Sequence, residues 1–168
     1  ARMPKPIFKR NNLVKLLNEN IKLLSEVNKS IEINLNKKDE EILLECDKEQ
    51  ISRVFINLIK NSIESIEQKV EKNPDFKKKI LIDISSNNDH ILISIEDNGV
   101  GFDKNNIKEI LNPYYTTKKN GTGLGLSIVN KIINDHKGEL EFIPIKNCAK
   151  IQIRFFKWQQ KLTLIHIS

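Results

Sequence analysis

Three stretches of this chain carry residues whose types and spacing suit chemistry. In the first, Asn57, Asn61, Glu64 and Gln68 follow one another at offsets of four, three and four, which on a helix forms a single stripe. Asparagine is a mediocre helix former, so two of them inside a helix ask for a reason. The plain alternative is a solvated face in an asparagine-rich chain. In the second, Glu96-Asp97-Asn98-Gly99-Val100-Gly101-Phe102 follows an apolar alternation, placing a carboxylate over a backbone bend; an ordinary Asp-Asn-Gly turn reads the same way. The third is Asn120-Gly121-Thr122-Gly123-Leu124-Gly125-Leu126-Ser127, followed by Val129, Ile132 and Ile133 at helical spacing. Glycines at alternate positions allow close backbone approach. A helix starting there directs unpaired N–H groups and a positive dipole end at the loop, a ready anion site. A flexible hinge is the other reading. Two known phosphate loops are excluded, since the chain has no G-x-x-x-x-G-K-[ST] string and its glycines are spaced G-x-G-x-G rather than G-x-G-x-x-G.

The elements that must hold these stretches are legible from periodicity. Leu13, Leu17, Ile21 and Leu24 predict an amphipathic helix from Asn12 to about Val27. Ile31, Ile33 and Leu35 alternate as a half-buried strand does, and Glu41 to Cys46 predicts a second. Asp47 is a plausible N-cap, with Gln50 to close a capping box. The helix it opens has Ile51, Val54, Phe55, Leu58 and Ile59 on its apolar face and continues to Ile66. Val70 to Lys79 reads as a charged loop. Ile80–Ile84 and Ile91–Ile95 predict an antiparallel hairpin across Ser86-Asn87-Asn88-Asp89, and Lys104 to Leu111 a short helix. The segment from Phe102 to Thr122 has little core-forming pattern, and such loops are commonly lids or binding loops. Gly138 is the expected stop of the glycine-initiated helix. Leu140–Ile143 and Ile151–Phe155 predict a final strand pair; Trp158 to Ser168 reads as a tail or an edge strand.

Composition sets the outer bounds. A chain of 168 residues suits one domain with a substantial core. The 39% hydrophobic and 30% charged content is that of an ordinary globular protein. No apolar run approaches the roughly 18 residues of a membrane span. Cys46 and Cys148, far apart and without a C-x-x-C partner, suit free thiols in a cytoplasm. The balance of 28 basic and 22 acidic residues gives +6, but aromatics make up only 6% and none is interleaved with the lysines. The reading is therefore no nucleic-acid partner.

Taken together and in order, Asn57-x-x-x-Asn61, Asp97-x-Gly99-x-Gly101, Pro113-Tyr114-Tyr115-Thr116-Thr117-Lys118 and Gly121-x-Gly123-x-Gly125 resemble the four boxes of the catalytic ATP-binding domain of sensor histidine kinases. The resemblance covers roughly Leu13 to Phe156. It implies the GHKL (Bergerat) fold: α+β, a two-layer α/β sandwich whose mixed, mostly antiparallel sheet is covered by helices on one face. Ala1-Arg2-Met3-Pro4-Lys5-Pro6 is similar to the segment after the dimerisation helices in nitrogen-regulation kinases of the NtrY type. The domain reading is a linker over 1–11, an ATP-binding domain over 12–157 and a tail over 158–168.

The resemblance implies ATP and Mg²⁺ as ligands. Asp97, an acceptor-only group, suits the exocyclic amino group of adenine and rejects guanine's carbonyl there. Asn61 offers an amide oxygen to Mg²⁺, with Asn57 in support. Glu64 departs from the basic residue that many members carry at its position, and is assigned to a metal-bound water. Gly99 and Gly101 would pass under the base. Backbone around Gly121, Thr122, Gly123, Leu124, Gly125 and Leu126 would cradle phosphates. Lys118, or Lys119, would supply mobile charge, and Tyr115, Thr116 and Thr117 would ride on a lid. His90, His136 and His166 match no phospho-acceptor pattern, so the accepting histidine is expected in dimerisation helices of a parent kinase. The further expectations are a monomeric isolated domain, a homodimeric parent, a cytoplasmic location and a response regulator as partner. Alternatives within the same boxes are an ATP-hydrolysing GHKL switch and a nucleotide-binding module without transfer.

Overall fold

The computed structural model describes residues 3–101, 125–146 and 148–158. Their elements are β1 (Lys9–Asn12), α1 (Leu13–Val27), β2 (Glu32–Lys37), β3 (Leu43–Cys46), α2 (Lys48–Lys72), β4 (Lys79–Ser86), β5 (His90–Asp97), α3 (Gly125–Asp135), β6 (Glu139–Ile145) and β7 (Cys148–Phe156). Five strands form one sheet in the order β2-β4-β5-β7-β6. β2 runs parallel to β4 and every other pairing is antiparallel. This is the mixed, mostly antiparallel sheet of the two-layer α+β reading.

Alternation along the strands decides which face is covered. Ile80, Ile82 and Ile84, Ile91, Ile93 and Ile95, and Ile151, Ile153 and Phe155 are all buried on one face. There they meet Leu13, Leu17, Val54, Phe55, Leu58, Ile59, Val129, Ile132 and Ile133 from the helices. α1 lies over β2, α2 over β5 and α3 over β6, with α2 contacting both other helices. α2 is therefore the central beam. The β4–β5 turn is closed by Asn87, whose Oδ1 accepts from the N–H groups of Asp89 (2.8 Å) and His90 (2.9 Å), an Asx turn.

The structure departs from the expected elements at several points. Lys9–Asn12, read as linker up to residue 11, forms β1 and pairs antiparallel with β3 in a two-stranded ribbon. Its sequence Lys-Arg-Asn-Asn has no apolar alternation, so side chains do the fixing. Asn11 Nδ2 donates to the Cys46 carbonyl (3.1 Å). Asn12 Oδ1 accepts from Val14 and Ile42, both at 3.1 Å, so Asn12 caps α1 instead of starting it. α2 runs on to Lys72 through residues expected to be loop, its charged last turn lying on the surface; Asn73 ends it just before Pro74. After α3 the left-handed position is Lys137 (φ 58°), not Gly138. Gly138 N–H closes back to the Ile133 carbonyl at 2.9 Å. A Cβ on Gly138 would stand 3.0 Å from the Arg154 carbonyl and the Phe155 ring. The expected helix at Lys104–Leu111 and the tail beyond Trp158 lie outside the described residues.

The N-terminus of α2 is a junction of three chain segments. Asp47 Oδ1 accepts from Gln50 N–H (3.1 Å), the expected cap, while its Oδ2 accepts from Ile7 N–H (2.9 Å). The reciprocal half of the capping box is absent. Gln50 Nε2 instead donates to the Pro4 carbonyl (2.9 Å), and Asp47 N–H donates to His136 Nε2 (3.1 Å). His136 Nδ1 lies 2.8 Å from the Ile132 carbonyl. A backbone N–H on one ring nitrogen and a carbonyl on the other fix the neutral tautomer, protonated at Nδ1. Burial also lowers the His136 pKa, against the Ile132 carbonyl and the charges of Asp47 and Asp135. Phe8 packs edge-on against the imidazole at 5.2 Å. Burial opposes ionisation of Asp47, but the N–H groups of Ile7, Gln50 and Glu49 outweigh it and hold its pKa below the usual value. Replacing Asp47 with Ala removes both the cap and the anchor of Ile7. Urea unfolding at pH 7 should show a loss of about 1–2 kcal/mol.

Candidate functional site

Strand alternation places Asp97. It follows Ile91, Ile93 and Ile95 at steps of two, so its side chain turns to the helix side of the sheet, and it is only 4% exposed. Its sheet neighbours are Ile80 and Ala149, neither of which solvates a charge. The compensating donors come from the turn and from α2. Gly99 N–H donates to Asp97 Oδ1 at 2.9 Å, and the hydroxyls of Ser62 and Ser65 lie on the carboxylate's side and favour its ionised form. Burial raises the Asp97 pKa to about 6 despite these three contacts, with Glu96 adding to the rise.

The turn after Asp97 is fixed from several sides. A Cβ on Gly99 would collide with the Ser65 hydroxyl and stand 2.6 Å from its carbonyl oxygen. Gly101 has φ +80°, and a Cβ there would lie 2.9 Å from the Cys148 carbonyl. Both box glycines are thus required by close approach, one to α2 and one to β7. Val100 N–H donates to Ser65 Oγ (3.0 Å). Asn98 Oδ1 accepts from Lys79 N–H (3.0 Å), and the Asn98 carbonyl accepts from Lys69 Nζ (2.8 Å). Lys69 in turn sits 4.9 Å above the Phe76 ring.

α2 carries the other half of the site. Asn57, Asn61 and Glu64 are all half-buried on it. α3 follows the glycine run, as expected, and a Cβ on Gly125 would lie 4.0 Å from Asn57 Oδ1. The first turn of α3 therefore faces the Asn57 end of the stripe, and the Asp97 turn faces the Ser65 end. Leu126 packs its side chain against the core, so only its backbone N–H is available to a ligand. Tyr115, Thr116, Thr117, Lys118, Gly121, Thr122, Gly123 and Leu124 lie outside the described residues. Among the described residues no cluster of three His, Cys, Asp or Glu side chains is arranged to hold a metal ion. A cation here would rely on amide, water and ligand oxygens.

Sequence reasoning missed Ser62, Ser65 and Lys69. The signal existed for Ser62, which is 3% exposed and continues the buried stripe of Ile51, Phe55 and Leu58 on to Ile66. A hydroxyl at a core position asks for a polar neighbour, and only the fold brings Asp97 near it.

Similarity to known proteins agrees with this geometry. The family described as "Histidine kinase-, DNA gyrase B-, and HSP90-like ATPase" matches residues 46–159. Sporulation kinase E of Bacillus subtilis is 33% identical over 136 residues, which is 80% of this chain. A putative NtrY-like sensor histidine kinase of Rickettsia conorii is 35% identical over 141 residues, or 84% of the chain. The chain spans about a fifth of the length of those curated relatives (18% and 22%). The solved catalytic domain of histidine kinase ThkA superposes with a TM-score of 0.78 at 28% identity, covering 90% of this chain and 96% of that one. ThkA has also been solved in complex with the response regulator TrrA (26% identity, TM-score 0.75, covering 93% of this chain and 43% of that one).

The buried charge has a measurable consequence for the free fold. With its pKa raised from 3.8 to about 6, Asp97 binds its proton more tightly folded than unfolded. Stability therefore falls as pH rises through that window, by up to about 3 kcal/mol. Asp97→Asn should raise the unfolding free energy at pH 7 by a substantial part of this amount. Urea titrations should show the gap to wild type closing near pH 4.

Proposed function

The chain belongs to the family of histidine kinase-, DNA gyrase B- and HSP90-like ATPases, and from that premise we propose that it binds ATP with Mg²⁺ and presents the γ-phosphoryl group to a histidine outside residues 1–168. The observation that carries the reading is Asp97: a buried carboxylate at a strand end, beside an immobilised turn and facing the α2 stripe. Such a group receives an N–H donor from a planar ligand lying over Gly99 and Gly101. The α2 amides of Asn57 and Asn61 and the first turn of α3 then lie on the triphosphate side.

The donor set fits a hard cation. Asn61 offers an amide oxygen, and Mg²⁺ takes few protein ligands while keeping water and substrate phosphates. Glu64 is placed one turn further on to hold a metal-bound water. When bound, the ion would neutralise charge on the transferring group. The chain's own residues do the rest: Asp97 selects and orients the base, the Gly99–Gly101 turn supports it, and the N–H groups of Gly125 and Leu126 receive phosphate. Thr122, Gly123, Leu124 and Lys118 join them on sequence grounds. Phosphoryl transfer needs mainly positioning and charge neutralisation, so the domain itself requires no nucleophile.

In this reading residues 12–157 are the ATP-binding domain, 1–11 lead in from dimerisation helices and 158–168 form a tail. The parent is a homodimeric sensor kinase with its catalytic part in the cytoplasm and a response regulator as its downstream partner. Similarity to ThkA, solved with TrrA, supports that last assignment. A hydrolytic switch is the second reading; in it the position of Asn57 would hold a glutamate that activates water, and an amide cannot take a proton at neutral pH.

Calorimetry with ATP and Mg²⁺ tests the proposal. Wild type should bind, and Asp97→Ala should bind at least about tenfold more weakly, since a hydrogen bond to a charged group contributes about 1.5–3 kcal/mol. Asn61→Ala should lose most of the Mg²⁺-dependent gain in affinity. Radiolabelled ATP should leave no label on the isolated chain; robust self-phosphorylation or steady ATP turnover would overturn the assignment.

A further inference from the structure

The turn after β5 contains a conflict. Residue 99 must be glycine, because a Cβ there would collide with Ser65 of α2. Glycine accepts either sign of φ, so the Asn98–Gly99 peptide can turn over at little steric cost. Its two ends have to be held by hydrogen bonds instead, and they are. The N–H, on Gly99, donates to Asp97 Oδ1 at 2.9 Å. The carbonyl, on Asn98, accepts from Lys69 Nζ at 2.8 Å. One peptide plane therefore joins an ammonium group on α2 to the buried carboxylate, and a charged donor holds that carbonyl more strongly than a neutral one would. Resting on the nucleotide reading above, we propose that Lys69 is a positioning residue of the nucleotide site. It locks the Asn98–Gly99 peptide in the orientation that gives its N–H to Asp97, and so keeps the turn seated on α2 for a ligand to lie against. Turned over, the same peptide would set its carbonyl against the carboxylate.

Other bonds hold the peptides on either side of this one. Asn98 N–H donates to the Lys79 carbonyl at 3.3 Å, and Asn98 Oδ1 accepts from Lys79 N–H at 3.0 Å. Val100 N–H is shared between Ser65 Oγ at 3.0 Å and the Ser65 carbonyl at 3.3 Å. Ser65 thus offers two acceptors to one donor, whereas among the described residues the donor to the Asn98 carbonyl is Lys69 alone. Lys69 is half-buried, and its ammonium lies 4.9 Å from the centroid of the Phe76 ring, which packs against the core. That ring steadies the cation. Among the described residues no carboxylate lies within ion-pair reach of Lys69. The plain explanation for a lysine in the last turn of a helix is the helix dipole. Lys72 stands in that same turn and is exposed. Among the described residues it makes no bond to residues 98–100, so it shares the dipole role and not the clamp.

The test is calorimetry with Mg-ATP, together with amide hydrogen exchange by NMR, on the 168-residue chain as wild type, Lys69→Met, Lys69→Arg and Lys72→Met. Methionine keeps the unbranched length and loses the donor. Lys69→Met should bind Mg-ATP about fivefold or more weakly, while Lys72→Met stays within about twofold of wild type. Lys69→Arg, which can still donate to a carbonyl and lie against Phe76, should recover most of the affinity. In Lys69→Met the Gly99 N–H should exchange about tenfold faster, with Ile93 and Ile95 of β5 as protected as in wild type. A general loss of stability would speed all three together, and that result would overturn the inference. Wild-type Gly99 N–H should be protected before any ligand is added; exchange as fast as in an unfolded chain overturns the inference without any variant. So does a folded Lys69→Met protein with wild-type affinity or wild-type Gly99 exchange, and so does equal weakening by Lys72→Met. If wild type binds no Mg-ATP, the nucleotide reading itself falls and this role with it. If wild type binds and Lys69→Met matches it, only the role of Lys69 is lost.

Discussion

The site is organised by one constraint, a carboxylate buried on the helix side of the sheet. Asp97 is delivered to the helix side of the sheet by the same alternation that buries Ile91, Ile93 and Ile95. A charge there is costly unless donors surround it. The compensation dictates what lies nearby: a turn tight enough to return the Gly99 N–H, and on α2 the hydroxyls of Ser65 and of Ser62, the latter in an otherwise apolar stripe. The turn must then approach α2 and β7 so closely that Gly99 and Gly101 admit no side chain. Four features of the sequence thus follow from one buried group.

α2 is the element on which everything is referenced. Its 25 residues carry the junction with the incoming segment at one end and the surface against the Asp97 turn toward the other. At its N-terminus Asp47, Gln50 and His136 tie together Pro4, Ile7 and Phe8 of the incoming chain, α2, and the end of α3. The start of α3 meets Asn57. α3 is thus held at both ends to the same beam, and the residues before β1 are fastened to it too. The neutral His136 suits this place because its two nitrogens face an obligate donor and an obligate acceptor. Protonation would set a cationic N–H against the Asp47 N–H, losing one of the bonds that joins α3 to α2.

The main elements were legible because their hydrophobic period is strong. The hairpin of β4 and β5, the cap at Asp47 and the helix after the glycine run stand where the sequence placed them. β1 was not legible because Lys9–Asn12 has no apolar face; its pairing depends on Asn11 and Asn12 reaching residues some thirty positions away. The last turn of α2 was hidden because charged residues 69–72 read equally as loop or as a solvated helix face. Asp97, Gly99 and Gly101 were singled out by type and spacing, but the sequence could not show what the glycines avoid. Ser62 left only the faint signal of a hydroxyl in an apolar stripe and Ser65 none, for a different reason. Their importance lies in a partner on another element, and an isolated serine in a helix has many bland explanations.

The mostly apolar face of α2 and the polar stripe beside it separate two tasks that a nucleotide imposes. Recognition of a base needs fixed geometry, and the Asp97 end supplies it: the backbone is locked by collisions and by hydrogen bonds to Asn98, Lys69 and Ser65. In the proposed site, phosphates would meet oxygen ligands from the Asn57 and Asn61 amides and N–H groups from the first turn of α3. An amide at Asn57 can orient a water or a phosphate oxygen but cannot deprotonate either. In the proposed site, hydrolysis would lack a general base at position 57, while transfer to a nucleophile brought from outside would not need one. A fixed turn at one end and an amide rather than a carboxylate at position 57 at the other would suit a donor of phosphoryl groups better than an ATPase working alone.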